Sequence, residues 1–269
     1  MIVARAKGRA RSIQDVIDIC IEAAAVEPWE STVDTVKVGD PSQEVRGIAT
    51  TFLATYEVIW KAIRQGANLI ITHEPTFYNH LDETDWLARD PVYAAKWKLL
   101  DEYGMVIWRY HDYWHARDPD GIAIGVLRHL GWEGYAQPGN PQICEVPAMP
   151  LSRLALFMKR RFGAQRVRVM GAPELTCSKV ALLVGAVGGR TQIEAVRGVD
   201  ALVVGEVREW ETTEYIRDGV YNEQPRGLIV VGHALSEEPG MRYLAEWLSP
   251  RVPEVKVRHI PAGDPFRYI

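Results

Sequence analysis

The chain has 269 residues, 47% of them hydrophobic and 25% charged, with a formal net charge of −4. That length supplies core for one large domain or two medium ones, in the ordinary range for a globular protein. The acidic balance argues against a nucleic-acid partner, and Lys159-Arg160-Arg161 falls in a helical pattern that reads as a solvated face.

Basic residues Arg5, Lys7, Arg9 and Arg11 precede an apolar stretch over 13–26, but Asp15, Asp18 and Glu22 interrupt it. Neither a signal-peptide core nor a membrane span is therefore expected. Ser12 caps a helix through residue 25, with Ile13, Val16, Ile17, Cys20, Ile21 and Ala24 at helical spacing. A short strand over 47–52 and a helix over 56–65, ending at Gly66, follow. Residues 69–72 read as a nearly continuous apolar strand of the kind covered on both faces. Asp90-Pro91 opens a helix to about residue 103, since proline suits a first turn. A strand over 105–110 and a helix over 122–130 complete the first half.

Residues 135–150 carry four prolines and no periodicity, and read as a connector. Beyond it a helix spans 152–162, extended chain 167–170, and a strand 180–184. A helix over 192–196, a strand over 201–204, a helix over 209–217 and a strand over 228–231 come next. A helix over 239–248 and a strand over 255–260 end the chain. The expectation is an α/β fold of two halves with mostly parallel sheets flanked by helices. The first domain covers 1–134, completed by about 230–269, the connector 135–150, and the second domain 151–229. Cys20, Cys144 and Cys177 form no C-x-x-C pair and suit packing in a reducing cytoplasm.

Three apolar strands end in histidine. His73-Glu74 follows the strand over 69–72, His111-Asp112-Tyr113-Trp114-His115 follows that over 105–110, and His233 with Glu237 follows that over 228–231. Ligands of open α/β sheets gather beyond the carboxyl ends of strands, so one convergent metal centre is expected. Imidazole with carboxylate suits zinc, iron or manganese, one or two divalent ions per chain. Plainer readings stand beside each cluster: a hydrogen-bonded histidine at a strand end for His73, and an aromatic surface loop for 111–115. Glu237 is open to a third, a cap on the helix over 239–248, with His233 left at the strand exit. His80 reads as surface, while Tyr78, Tyr113 and Trp114 are candidate walls for a planar ligand. Gly188-Gly189, in a glycine-rich turn before a helix, is a candidate phosphate seat, although tight turns need glycine on steric grounds alone.

The ordered motifs resemble the Nif-three-like family, whose bacterial members are called GTP cyclohydrolase I type 2. They are Thr72-His73-Glu74-Pro75 with Phe77 and Tyr78, His111 to His115, Gly185 to Gly189, Val203-Val204-Gly205-Glu206, Gly232-His233 with Glu237, and Asp264-Pro265-Phe266. The resemblance implies a two-domain α/β fold, a dinuclear metal site at the domain interface and a homohexameric ring. It places the metal ligands on His73, Glu74, His115, His233 and Glu237. Glu74 stands where the family carries histidine, and His115 where it carries aspartate. The exchange is reciprocal, so three imidazoles and two carboxylates remain. Leu53 replaces another family aspartate.

The reading that follows is a cytoplasmic metal-dependent hydrolase acting on a nucleotide or related heterocycle. His111 and Asp112 then serve as outer-shell support or proton relay, and Gly188 and Gly189 hold a phosphate. The alternative is a non-catalytic metal-binding scaffold or metal chaperone that forms a ring assembly.

Overall fold

The computed structural model describes residues 10–269, so Arg5, Lys7 and Arg9 lie outside the described residues. The chain divides into two compact units. The first runs to Asp118 and takes in Leu244–Ala262; the second comprises Pro119–Tyr243 and Gly263–Ile269.

The first unit opens with α1 (Ile13–Glu22), whose start is set by a reciprocal cap. The Ser12 hydroxyl accepts from the Asp15 N–H, and the Asp15 carboxylate accepts from the Ser12 N–H. There follow β1 (Val36–Val38), β2 (Ile48–Thr51), α2 (Tyr56–Arg64), β3 (Leu69–Thr72), α3 (Pro91–Glu102), β4 (Val106–Arg109) and the short α4 (Asp112–Ala116). The sheet order is β1-β4-β3-β2, with the C-terminal strand Val257–His259 beside β2. All pairings are parallel except β1 on β4. Every residue of β2, β3 and β4 is buried, as an apolar strand covered on both faces requires. Ile70, Ile107, Leu100, Val58 and Ile59 form part of its core.

Parallel register then fixes where the chain emerges. Thr72 pairs with Arg109, so His73 and the Tyr110-His111 step leave adjacent strands at the same sheet edge. The Tyr110 N–H donates to the Thr72 carbonyl at 2.9 Å just before that exit.

The second unit contains α5 (Gly121–Leu130), β5 (Ala136–Gln137), β6 (Asn140–Pro150), α6 (Leu151–Arg161), β7 (Arg168–Met170), β8 (Thr176–Leu183), α7 (Gly189–Val196), β9 (Ala201–Val204), α8 (Glu214–Tyr221) and β10 (Gly227–Val230). Its sheet order is β5-β6-β8-β9-β10-β7. Only β8-β9 and β9-β10 are parallel. The mostly parallel expectation thus describes the first unit, and the second sheet is mixed.

Two expectations need correction here. The segment 135–150 is not a connector: it holds β5 and the eleven-residue β6, which pairs with β5 and β8. Its prolines hid the strand. Pro147 falls in the register shift between Glu145 and Met149, and Pro150 ends the strand, both places where a missing N–H is tolerated. The last long helix, α9 (His233–Leu248), starts at His233 rather than at Pro239. Gly232, at φ +110°, turns the chain straight from β10 into the helix. Pro239 then gives up a bond to the Leu235 carbonyl while its φ remains helical. Among the described residues, no helix is long and apolar enough to cross a membrane.

Candidate metal centre

In the first unit the buried exit of β3 holds the His73 ring. The His73 Nδ1 lies 3.3 Å from the Tyr110 carbonyl. A carbonyl only accepts, so Nδ1 carries the hydrogen and Nε2 the lone pair. Burial first, and then the neighbouring His115 and His111, push the His73 pKa well below its ordinary value, which keeps the ring in the neutral form a metal needs. Arg109, the last residue of β4 and fully buried, ties the loop down. Its Nε donates to the His73 carbonyl at 3.0 Å and its Nη1 to the His80 carbonyl at 2.6 Å. Its Nη2 lies 3.4 Å from Glu74 Oε2, so that carboxylate rests beside a fixed cation.

His111 and His115 flank one turn of helix, the His115 N–H donating to the His111 carbonyl at 3.0 Å. Asp34 builds that turn. Its Oδ1 accepts from the N–H groups of His111 and Asp112 at 2.7 and 2.9 Å, and its Oδ2 from Tyr113 at 2.8 Å. Asp112 in turn orients His111, with Oδ1 2.8 Å from Nδ1. Burial pushes the Asp112 carboxyl up. The His111 ring, the Val33 N–H and the Thr32 hydroxyl outweigh it and hold the group below its ordinary value. Rings of His73, His111 and His115 pack with centroids 4.6 to 5.0 Å apart. One ligand-capable nitrogen from each lies within 4.8 Å of the other two.

The second unit carries its own cluster. His233 and Glu237 fall on one face of α9, four residues apart, with His233 Nε2 3.1 Å from Glu237 Oε2. On the other side Nδ1 lies 2.9 Å from Glu206 Oε1, just past β9. With carboxylates on both nitrogens, the ring makes both bonds only as an imidazolium, or one bond plus a cation. Glu237 is buried, and so is not merely an exposed helix cap. Gly185 makes room for it: a Cβ there would stand 2.1 Å from Glu237 Oε1, in a backbone already at φ +75°. The Ser236 hydroxyl accepts from the Gly185 N–H at 3.0 Å and donates to the His233 carbonyl at 2.8 Å, locking turn to helix.

Several expected roles move. Trp114 is fully buried and packs on Tyr110 and Trp247, and Tyr113 stacks on Trp29, so neither walls a ligand pocket. Tyr78 and His80 are exposed. Gly188 and Gly189 do open α7, but a Cβ on Gly189 would lie 2.0 Å from Glu211 Oε2. All three cysteines are free and buried. Asp34 and Arg109 escaped the sequence reading, and Glu206 entered it only within a family motif, without a role in the site. Arg109 had a signal, a lone cation closing an apolar strand; Asp34 and Glu206 are remote in sequence from the histidines they serve.

The donor set fits a divalent metal: several imidazoles, of which His73 and His111 are oriented by hydrogen bonds, and carboxylates within reach of imidazole nitrogen. Fold and clusters together define a two-unit α/β protein with histidine–carboxylate sites at strand exits. Residues 11–265 match the model for Duf34/NIF3 (NGG1p interacting factor 3), and the chain belongs to that family. It is similar to a GTP cyclohydrolase 1 type 2 homolog of Streptomyces coelicolor, 26% identical over 86% of this chain and 82% of that one. A homolog of the same description from Clostridium perfringens is 23% identical, covering 96% of this chain and 99% of its own. Among solved structures, a Bacillus cereus protein related to NIF3 shares the fold with a TM-score of 0.79 at 15% identity, covering 97% of this chain and 100% of that one. The NIF3 superfamily protein of Sphaerobacter thermophilus aligns with a TM-score of 0.53 at 15% identity, over 94% of this chain and 99% of its own.

Proposed function

We propose that this chain is a metal-dependent hydrolase acting on a nucleotide or related heterocycle, with His73, Glu74, His115, His233 and Glu237 as metal ligands. The observation that carries the reading is the packing of imidazoles and carboxylates at strand exits, each oriented by a second group: His73 by Tyr110, His111 by Asp112, His233 by Glu206. Family membership supports it, and the relatives called GTP cyclohydrolase 1 type 2 homologs support the nucleotide class. A divalent ion held there supplies Lewis acidity and lowers the pKa of a bound water. Arg109 holds the Glu74 carboxylate and the His73 main chain in place, so the ligands need little reorganisation. The Asp112 carboxylate faces His111 Nδ1 at 2.8 Å and fixes the orientation of that ring. The reading includes a homo-oligomer, the hexamer implied by the family, whose mass light scattering reads directly.

The test begins with metal content by elemental mass spectrometry, on untagged protein purified without chelator. A nucleotide panel is then assayed with and without chelator. The expected result is one or two equivalents of zinc, iron or manganese, turnover that chelation abolishes, and loss of the ion held at His233 in His233→Ala without unfolding. Metal binding with no turnover across the panel would make the chain a metal-binding scaffold instead. Absence of metal even after reconstitution would end both readings.

A further inference from the structure

The cluster of the first unit contains one more imidazole than the expected ligand set. His111 stands in the cluster as fully as His73 and His115. Its centroid is 4.6 Å from that of His73 and 4.9 Å from that of His115. Its Nδ1 faces the Asp112 carboxylate at 2.8 Å, which leaves Nε2 as the lone-pair nitrogen. His73 is set the same way by the Tyr110 carbonyl. Both rings therefore present Nε2, with Nδ1 spent on an outer partner, the arrangement that orients metal-ligating histidines generally.

We infer that the first unit by itself holds a borderline divalent cation, zinc foremost, on three imidazoles, with His111 a direct ligand beside His73 and His115. The inference rests on the metal-dependent reading above and adds to it a ligand and a metal class. Three imidazole nitrogens select zinc-like ions over magnesium or manganese, which prefer oxygen. They also leave a fourth position open, as catalytic zinc sites do. Four-coordinate zinc with nitrogen at its usual distance needs donor atoms about 3.4 Å apart. The three nitrogens already lie within 4.8 Å, so side-chain adjustment closes the difference. The frame around them is rigid: His73 follows a buried strand and is tied by Arg109, and His111 and His115 share a turn held by Asp34. His115, where the family carries aspartate, completes the all-nitrogen set in this chain.

The probes are Zn²⁺ and Co²⁺, added to the full metal-free chain carrying His233→Ala to silence the second cluster. The expected result is one equivalent bound, with the intense visible bands of four-coordinate cobalt. In protein labelled with ¹⁵N-histidine, zinc should shift the Nε2 resonances of His73 and His111 together with one ring nitrogen of His115. The decisive variant is His111→Asn, which keeps an N–H donor for Asp112 and lacks Nε2. Its zinc affinity should fall by more than about 100-fold, beyond the range of an outer-shell change. Affinity within about tenfold of the parent, with unchanged cobalt bands, would overturn the assignment. Should His111→Asn lose the fold, an unshifted His111 Nε2 resonance in the parent would overturn it equally. If the wild-type chain binds no metal, the hydrolase reading fails as well; if it binds metal and His111→Asn is unaffected, only this inference fails.

Discussion

Glu206 is the residue whose part in the site is least visible in the sequence and most direct in the structure. Its carboxylate faces His233 Nδ1 and commits Nε2 to the side of Glu237. Glu206→Ala should weaken metal binding at His233 by about 10–100-fold. Glu206→Gln should weaken it less, because an amide oxygen still accepts from Nδ1. Competition titration with a zinc indicator separates the two, and equal affinities in both variants and wild type would remove Glu206 from the site. Lys96 tells a different story at the same scale. It is buried, donates to the Thr76 carbonyl at 2.6 Å and lies over the Phe77 and Tyr78 rings. Burial lowers its pKa from 10.5 to about 8, against the opposing pull of Asp82. The unfolded chain therefore holds more protons between about pH 8 and 10.5, so the folded state gains stability as pH rises through that window. Relative to Lys96→Met, the wild type should gain about 3 kcal/mol across it in urea unfolding. A flat difference would mean that the ammonium is solvated.

At the scale of elements, α4 is the weak link. Five residues make little more than one turn, too short to persist without help from outside. Asp34 supplies that help through three N–H bonds at 2.7 to 2.9 Å. Asp34→Ala should cost about 2 kcal/mol, at the upper end for a lost helix cap. It should also weaken zinc binding at the His73 cluster, since His111 and His115 flank that turn. Unfolding midpoints and zinc titrations of the same variant check both halves of the claim. The i,i+4 pair His233 and Glu237 shows a similar dependence on element boundaries. Read from sequence, the Glu238-Pro239 step marked a helix start and left His233 outside it. Proline's helical φ let the chain begin the helix six residues earlier, which put both side chains on one face.

For the whole molecule, a ligand that binds only the folded chain stabilises it by mass action. With free zinc at about 100 times its Kd, the gain is about 2.7 kcal/mol, or roughly 5–10 °C in Tm for a chain of this size. Scanning calorimetry with and without a chelator reads this directly. An unchanged Tm would count against every metal assignment made above.

The α/β class and the histidine-tipped strands were legible from the chain alone. Runs such as Leu69–Thr72 and Ala201–Val204 are apolar enough to demand cover on both faces, and that demand is local. The identity of His73, His111, His115, His233 and Glu237 as chemically capable groups was equally plain, because ligand chemistry belongs to the side chain. Partnership is not local, and there the tertiary structure decided. Parallel register brought His73 to His111, Asp34 reached α4 from 77 residues away, and Gly185 opened space for Glu237. The same holds for what was misread: β6 gained its strand from pairing that its prolines concealed, and Trp114 went into the core because packing claimed it. Side-chain chemistry and hydrophobic period are written in sequence order; hydrogen-bond partners and burial are settled only when distant segments meet.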